Sequence, residues 1–304
     1  MKNHFLFILC LLFLCTSCND DDDPITPAPG ETTGPQYIEN LDFSASINET
    51  SEIQDFDVEN GFLYFIYDQA IYSIDLNSGT NTAELVIEDS TDWPNTLKVI
   101  GSTLYYQGDS WAQSQDIKVV DLNNVSAGVQ STHSIVGISR SQLSKDSGKL
   151  YYTSSIDAYS PINNFYEFSQ SSPDRLIATD DFIHPANMRV IDNYLYFSSK
   201  NEVRRFDLSS STEESVLLYT VPGTGDDNEY EDIIGFDIKD DVVYFTQLGD
   251  NKLYAKDLQQ PDEAAVVLRS NNDEGVTGYG KIIVADDKLY VKKIIEKQLE
   301  IFGI

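Results

Sequence analysis

Hydrophobic positions along this chain come in short bursts that alternate with polar residues, and the bursts return. Leu63-Tyr64-Phe65, Leu104-Tyr105-Tyr106, Leu150-Tyr151-Tyr152 and Leu195-Tyr196-Phe197 are followed by the variants Val243-Tyr244-Phe245 and Leu289-Tyr290-Val291. The six copies are spaced by 41, 46, 45, 48 and 46 residues, the period at which one four-stranded unit repeats around a ring. Each copy predicts an apolar strand, a tight polar turn, the Leu-Tyr-Phe strand and a third strand. The turn pairs are Asn60-Gly61, Gly101-Ser102, Ser147-Gly148, Asp192-Asn193, Asp240-Asp241 and Asp286-Asp287, residue types that tolerate hairpin turns.

Four of the six third strands close on Asp-Leu, as in Ile71-Tyr72-Ser73-Ile74-Asp75-Leu76. An outer fourth strand follows in the first five copies, for example over 83–87 and 264–268. The sixth copy stops at Ile304, one strand short, while residues 37–46, with Leu41, Phe43 and Ala45 alternating against polar neighbours, have strand character before the first copy. If that strand completes the last unit, the ring closes and its final sheet edge is protected. The predicted fold is therefore all-β, a six-bladed β-propeller of four-stranded blades closed by an N-terminal strand. Its 268 residues from 37 to 304 give about 45 per blade. No window sustains the i, i+3, i+4, i+7 spacing of an amphipathic helix, which excludes a helical solenoid. An open β-solenoid has shorter repeats and leaves the missing strand unexplained.

In such a ring the connections entering each innermost strand and those joining second to third strands share one face. Here they are long and varied, over 88–96, 107–116, 153–163, 178–187, 221–232 and 270–280. The opposite face is expected to carry mostly turns of two to six residues. Trp93, Trp111, Tyr159, Phe182, His184, Tyr230 and Tyr279 all fall on the elaborated side. Aromatic side chains on loops held by a rigid scaffold are the usual makings of a binding surface.

The N-terminus adds an address. Residues 1–17 read as a signal peptide, with Lys2 ahead of a ten-residue apolar run from Phe5 to Leu14, too short to span a bilayer. All three cysteines, Cys10, Cys15 and Cys18, lie in or beside it, so no disulfide is expected in the mature domain. Residues 18–36 hold an acidic run, Asn19-Asp20-Asp21-Asp22-Asp23, and a Pro/Gly-broken stretch that reads as a tether. As a flexible coil its 18 residues from 19 to 36 reach roughly 23 Å. The net charge of −30 sets nucleic acid and anionic headgroups aside as partners.

Signals for catalysis are sparse. Beyond the leader only His133 and His184 remain, and no Gly-x-Ser-x-Gly, His-Glu-x-x-His or glycine-rich phosphate loop is present. The segments expected to line the channel include Phe56-Asp57-Val58, Lys98-Val99-Ile100, Leu143-Ser144-Lys145, Arg189-Val190-Ile191 and Phe236-Asp237-Ile238; two aspartates among six blades do not make a metal site. No cofactor is required. Two acidic loops are candidates for calcium, Asp226, Asn228 and Asp232 in one and Asn271 and Asp273 in the other, with oxygen ligands on alternate residues but without the full twelve-residue loop of glycine and terminal glutamate.

Three resemblances refine this reading. Leu14-Cys15-Thr16-Ser17-Cys18 resembles the bacterial lipobox, departing from it at Cys15 where leucine is preferred, which implies that Cys18 is lipidated and anchors the chain to a membrane. The acidic run after Cys18 resembles the surface-export signal of Bacteroidetes lipoproteins, implying an outer-membrane lipoprotein exposed to the medium, with a periplasm-facing one as the alternative. The stretch from Ile71 to Gly79 is similar to the Tyr-x-x-Asp-x-x-x-Gly strand and turn of quinoprotein-type, YVTN-type and TolB-like propellers, and the whole repeat resembles the TolB-like six-bladed group most. Because that architecture hosts many functions, two expectations follow. The first is a monomeric binding module whose long-loop face takes a protein or glycan partner. The second is a hydrolase or lyase at the channel mouth using His184 and loop carboxylates.

Overall fold

The computed structural model describes residues 36–42, 52–108, 116–155, 163–171, 173–180, 185–210, 214–221, 233–247, 251–270, 278–293 and 298–304. The chain opens with β1 (Gln36–Asp42). The first blade is β2 (Ile53–Glu59), β3 (Phe62–Tyr67), β4 (Ala70–Asp75) and β5 (Glu84–Glu88). The second is β6 (Pro94–Ile100), β7 (Thr103–Gly108), β8 (Ile117–Asp121) and β9 (Ser131–His133), and the third is β10 (Ile138–Asp146), β11 (Lys149–Ser155), β12 (Asn163–Glu167) and β13 (Arg175–Asp180). The fourth is β14 (Pro185–Ile191), β15 (Tyr194–Ser199), β16 (Glu202–Asp207) and β17 (Val216–Thr220), and the fifth is β18 (Ile233–Lys239), β19 (Val242–Gln247), β20 (Lys252–Asp257) and β21 (Val266–Ser270). The sixth blade joins β22 (Tyr279–Ala285), β23 (Lys288–Lys293) and β24 (Gln298–Gly303) to β1.

All six sheets are antiparallel, and each innermost strand lies against the next, with β22 returning to β2. The protein is a six-bladed β-propeller. Its closure is the expected one: Gln36 pairs with Gly303 and Leu41 with Leu299, so the N-terminal strand covers the edge that the C-terminal blade would otherwise leave open.

The triplets explain the packing. In a strand, alternate side chains point to opposite faces, so the first and third residues of a triplet face one neighbouring blade and the middle tyrosine faces the other. Leu63 and Phe65 enter the core shared with the sixth blade, where Leu41, Ile283 and Tyr290 also lie, while Tyr64 enters the core shared with the second, beside Leu97, Val99, Leu104 and Tyr106. The same division recurs at Leu195 and Phe197 against Tyr196, and at Leu289 and Val291 against Tyr290. The six interfaces account for the six buried clusters. In four of the six blades the third triplet residue also stacks on an aromatic of the adjoining strand, as in Phe65 with Tyr72 at 5.7 Å and Phe245 with Tyr254 at 5.0 Å between centroids, an arrangement that adds to simple burial.

The turns between first and second strands are two residues long throughout. Five of the six hold both residues at positive φ, from Asn60 (52°) and Gly61 (78°) to Asp286 (49°) and Asp287 (58°), the conformation whose twist matches paired strands. One expectation fails. The connections between third and fourth strands on that same face run seven to nine residues, over 76–83, 122–130, 168–174, 208–215 and 258–265, rather than collapsing to turns of two to six. The recurring Asp-Leu supplies the reason. Asp75, Asp121, Asp207 and Asp257 each accept from the backbone N–H two residues on, at 2.8–2.9 Å. The following Leu76, Leu122, Leu208 and Leu258 N–H groups reach the carbonyls of Gly61, Ser102, Asn193 and Asp241 in the hairpin turns. Four of the five connections are thus tied down on their own blades.

Candidate functional site

The innermost strand of every blade is a sheet edge facing the channel, and its outward N–H groups need acceptors. The preceding blade supplies them. Asp55 Oδ2 accepts from Leu97 N at 2.9 Å and from Thr96 Oγ1, Asp57 Oδ2 accepts from Val99 N at 2.8 Å, and Glu59 Oε1 accepts from Gly101 N at 3.0 Å. Three alternate side chains of β2 therefore clip the free edge of β6. Ser144 does the same for Val190 N at 3.0 Å, and Asp237 for Val284 N at 2.8 Å. Asp57, Lys98, Ser144, Arg189, Asp237 and Ile283 occupy one register, each opposite the central tyrosine of its triplet.

Cations sit among these acids. Lys281 pairs with Asp55, and Arg189 Nε lies 3.1 Å from Asp237 Oδ1. Lys145 Nζ reaches Asp57 Oδ2 at 2.8 Å, Glu59 Oε2 at 2.7 Å and the carbonyls of Val58 and Val99. Burial alone would raise the Asp57 carboxyl, but Lys98, Lys145 and the Val99 N–H outweigh it and leave it below the usual carboxylate range. Asp55 is held down likewise, by Lys281, Lys98 and the Leu97 N–H against its burial. Burial pushes the Lys98 ammonium down, Lys281 adds to that, and Asp57 and Asp55 offset it only in part, leaving it at about 8.

Where the channel meets the two-residue turns it widens into a cavity of about 270 Å³ lined by Asp57, Glu59, Lys145, Arg189, Ile283 and Ala285 among others, with Asn60 and Asp286 at its rim. This is the end opposite the one the loop aromatics had pointed to. The sequence already showed scarce cations at equivalent inner-strand positions in a strongly acidic chain. Weighing only the aspartates at those positions, and only as metal ligands, leaves out the role of these cations as partners for carboxylates.

On the long-loop side the described residues include one rigidly presented aromatic. Trp93 follows a turn in which Asp89 Oδ1 accepts from Thr91 N and Asp92 N, and Trp93 N donates to Asp89 O at 3.2 Å. Beneath it Lys118 bridges Asp89 and Asp92, and Tyr106 donates to Asp89 Oδ2 at 2.8 Å. Burial works against the charge on Asp89, yet hydrogen bonds from Lys118 and Tyr106 keep its carboxyl below the ordinary value. The indole Nε1–H donates to Ser90 O at 3.1 Å, the backbone of Trp93 sits at φ 43°, and its side chain is left 53% exposed.

Tyr279 requires a correction. It is the first residue of β22 and is fully buried, its hydroxyl donating to Glu300 Oε2 at 2.8 Å; a ring facing the neighbouring blade's core offers nothing to a ligand. His133 is structural too, with Nε2 3.1 Å from Asp174 Oδ2 and its ring edge-on to Phe168. Trp111, Tyr159, Phe182, His184 and Tyr230, the calcium candidates Asp226, Asn228, Asp232, Asn271 and Asp273, and the lipidation candidate Cys18 lie outside the described residues. Among the described residues no group of three or more His, Cys, Asp or Glu is placed to hold a metal ion, and no helix is long and apolar enough to cross a membrane.

No protein-family profile matches the chain, and no curated protein does. Solved structures do. Luciferin-regenerating enzyme aligns with a TM-score of 0.59 at 14% identity, over 88% of this chain and 94% of that one. Virginiamycin B lyase from Staphylococcus aureus aligns with a TM-score of 0.54 at 10% identity, over 84% and 81%. A chain of the nidogen/laminin complex aligns with a TM-score of 0.56 at 14% identity, over 76% and 84%. At such identities the likeness is one of fold, and what this chain shares with two enzymes and a partner-binding protein is the propeller itself.

Proposed function

We propose that this protein is a cell-envelope lipoprotein, acylated at Cys18, whose propeller is a binding module that takes a protein or glycan partner on its long-loop face. The observation that carries the binding role is Trp93. An exposed indole has little reason to be fixed by a positive-φ backbone, a hydrogen bond from its own ring and a buried Asp89, Lys118 and Asp92 cluster unless it is used as a platform. Rigid aromatic anchors lose little conformational freedom on binding and dominate interface energetics.

The channel supports the same reading from the other side. Its carboxylates are engaged in clipping neighbouring backbones and in pairing with lysine and arginine, a structural use that leaves them poorly placed for acid and base work. The test is capture of envelope proteins and of arrayed glycans by the wild-type domain and by Trp93→Ala. Loss of capture in a variant with unchanged thermal unfolding supports the proposal. Undiminished capture, or turnover in an ester and glycan substrate screen that His184→Ala abolishes, overturns it. Metabolic labelling with a fatty acid, lost in Cys18→Ala, tests the anchor, and protease accessibility on whole cells tests surface exposure.

A further inference from the structure

The geometry points to a second binding site, in the channel mouth on the two-residue-turn face, for a neutral polyhydroxyl ligand, a sugar residue in chemical class. The cavity there has a volume of about 270 Å³, and three features of its wall define what fits.

The first is unspent hydrogen-bonding capacity of both signs. Among the described residues the only partner of the Arg189 guanidinium is Asp237, beside Nε; no described residue accepts from its terminal nitrogens, and its side chain is 22% exposed. The Asp57 side chain lies deeper and is fully buried, so it offers the cavity its charge and not a free acceptor. At the mouth Glu59 is 25% exposed. A planar fork of donors beside carboxylate acceptors matches vicinal hydroxyls, each of which both accepts and donates.

The second is charge balance. In and behind the wall Lys98, Lys145 and Arg189 offset Asp57, Glu59 and Asp237, and the remaining acid, Asp286, lies on the solvent-exposed turn. An anion would meet Asp57, Glu59 and the field of a chain of net charge −30, and a cation would meet Lys145 and Arg189, so desolvation favours a neutral guest. The third is a small apolar flank from the half-buried Val284 and Ala285, against which the C–H face of a pyranose packs.

The site is independent of the Trp93 face and is tested separately. Saturation-transfer NMR is run on the intact domain with glucose, galactose and N-acetylglucosamine, with glucuronate and glucosamine as charged counterparts. With every measurement made in the Trp93→Ala background, so that the long-loop face contributes nothing, transfer from at least one neutral sugar is expected, at least roughly tenfold weaker in affinity when Arg189→Gln is added. If Arg189→Gln unfolds, Ala285→Phe, which keeps every charge and fills the cavity, is expected to remove the signal. No transfer from any neutral sugar, transfer insensitive to both cavity variants, or tighter binding of glucuronate or glucosamine than of the neutral sugars overturns the assignment.

Discussion

Lys145 of the third blade reaches past the second to pair with Asp57 of the first, Nζ to Oδ2 at 2.8 Å, while its three hydrogens are shared with Glu59 and the carbonyls of Val58 and Val99. One ammonium thus fastens three blades at the turn end of the channel. Removing one partner of a buried pair leaves the other charge uncompensated, a loss of about 3–5 kcal/mol. Lys145→Met is accordingly expected to lower the denaturant midpoint markedly, and chemical denaturation measures it. Lys145→Met combined with Asp57→Asn should recover part of the loss, because the stranded charge is gone.

Stability should change with pH in a way set by Lys98. Its ammonium titrates at about 8 in the folded protein against an ordinary 10.5, so between those values the unfolded chain binds more protons than the folded one and stability rises with pH. Tyr106, Tyr152 and Tyr279 oppose this at higher pH. Burial first, then bonds to Asp89, Asp174 and Glu300, push their hydroxyls up, so stability falls once the unfolded tyrosines ionise near 10. A maximum between pH 8 and 10.5 is expected in thermal melts, and Lys98→Met should shrink its rising limb, to which the Lys292 ammonium, also lowered by burial, contributes the remainder. A flat profile through that window in the wild type would sink the assignment.

Ring closure rests on β1. Leu41 is buried in the core joining the first and sixth blades, so Leu41→Ala should cost about 2–4 kcal/mol through lost transfer energy and a residual cavity. Deleting residues up to Asp42 should do more, exposing the β24 edge to other chains. Light scattering on the truncated domain is expected to show self-association that Leu41→Ala does not.

Gly235 marks a close approach between β18 and β22. A Cβ there would collide with the Gly280 carbonyl, to which Thr246 Oγ1 already donates at 2.8 Å. Backbone cannot yield as a side chain can, so Gly235→Ala should part the fifth and sixth blades and cost about 1–3 kcal/mol. Increased hydrogen exchange confined to β18 and β22 would identify the mechanism, and a wild-type melting temperature would refute it.

How far the sequence could be read depended on the range of the interaction. Blade number, strand order and the pairing of the spare N-terminal strand with the last blade were all legible, because alternation and turn chemistry act within a few residues and the repeat states them six times. The length of the connections after the third strands is not legible, since the recurring Asp-Leu marks where each strand ends without saying how many residues the bonds of Asp75 and Leu76 fold back. Tyr279 was read as a loop aromatic because its place at the edge of a strand gives no sign of Glu300, 21 residues on, waiting for its hydroxyl.

By itself, then, the sequence determined a ring of six blades glued by Leu-Tyr-Phe triplets. Only the tertiary structure decided what the inward charges do. Asp55 and Lys281 are 226 residues apart, and Lys145 lies 86 from Glu59. No local pattern links them, and they become partners only because closing the ring brings every innermost strand to a common axis, where desolvation forces each charge to find an opposite.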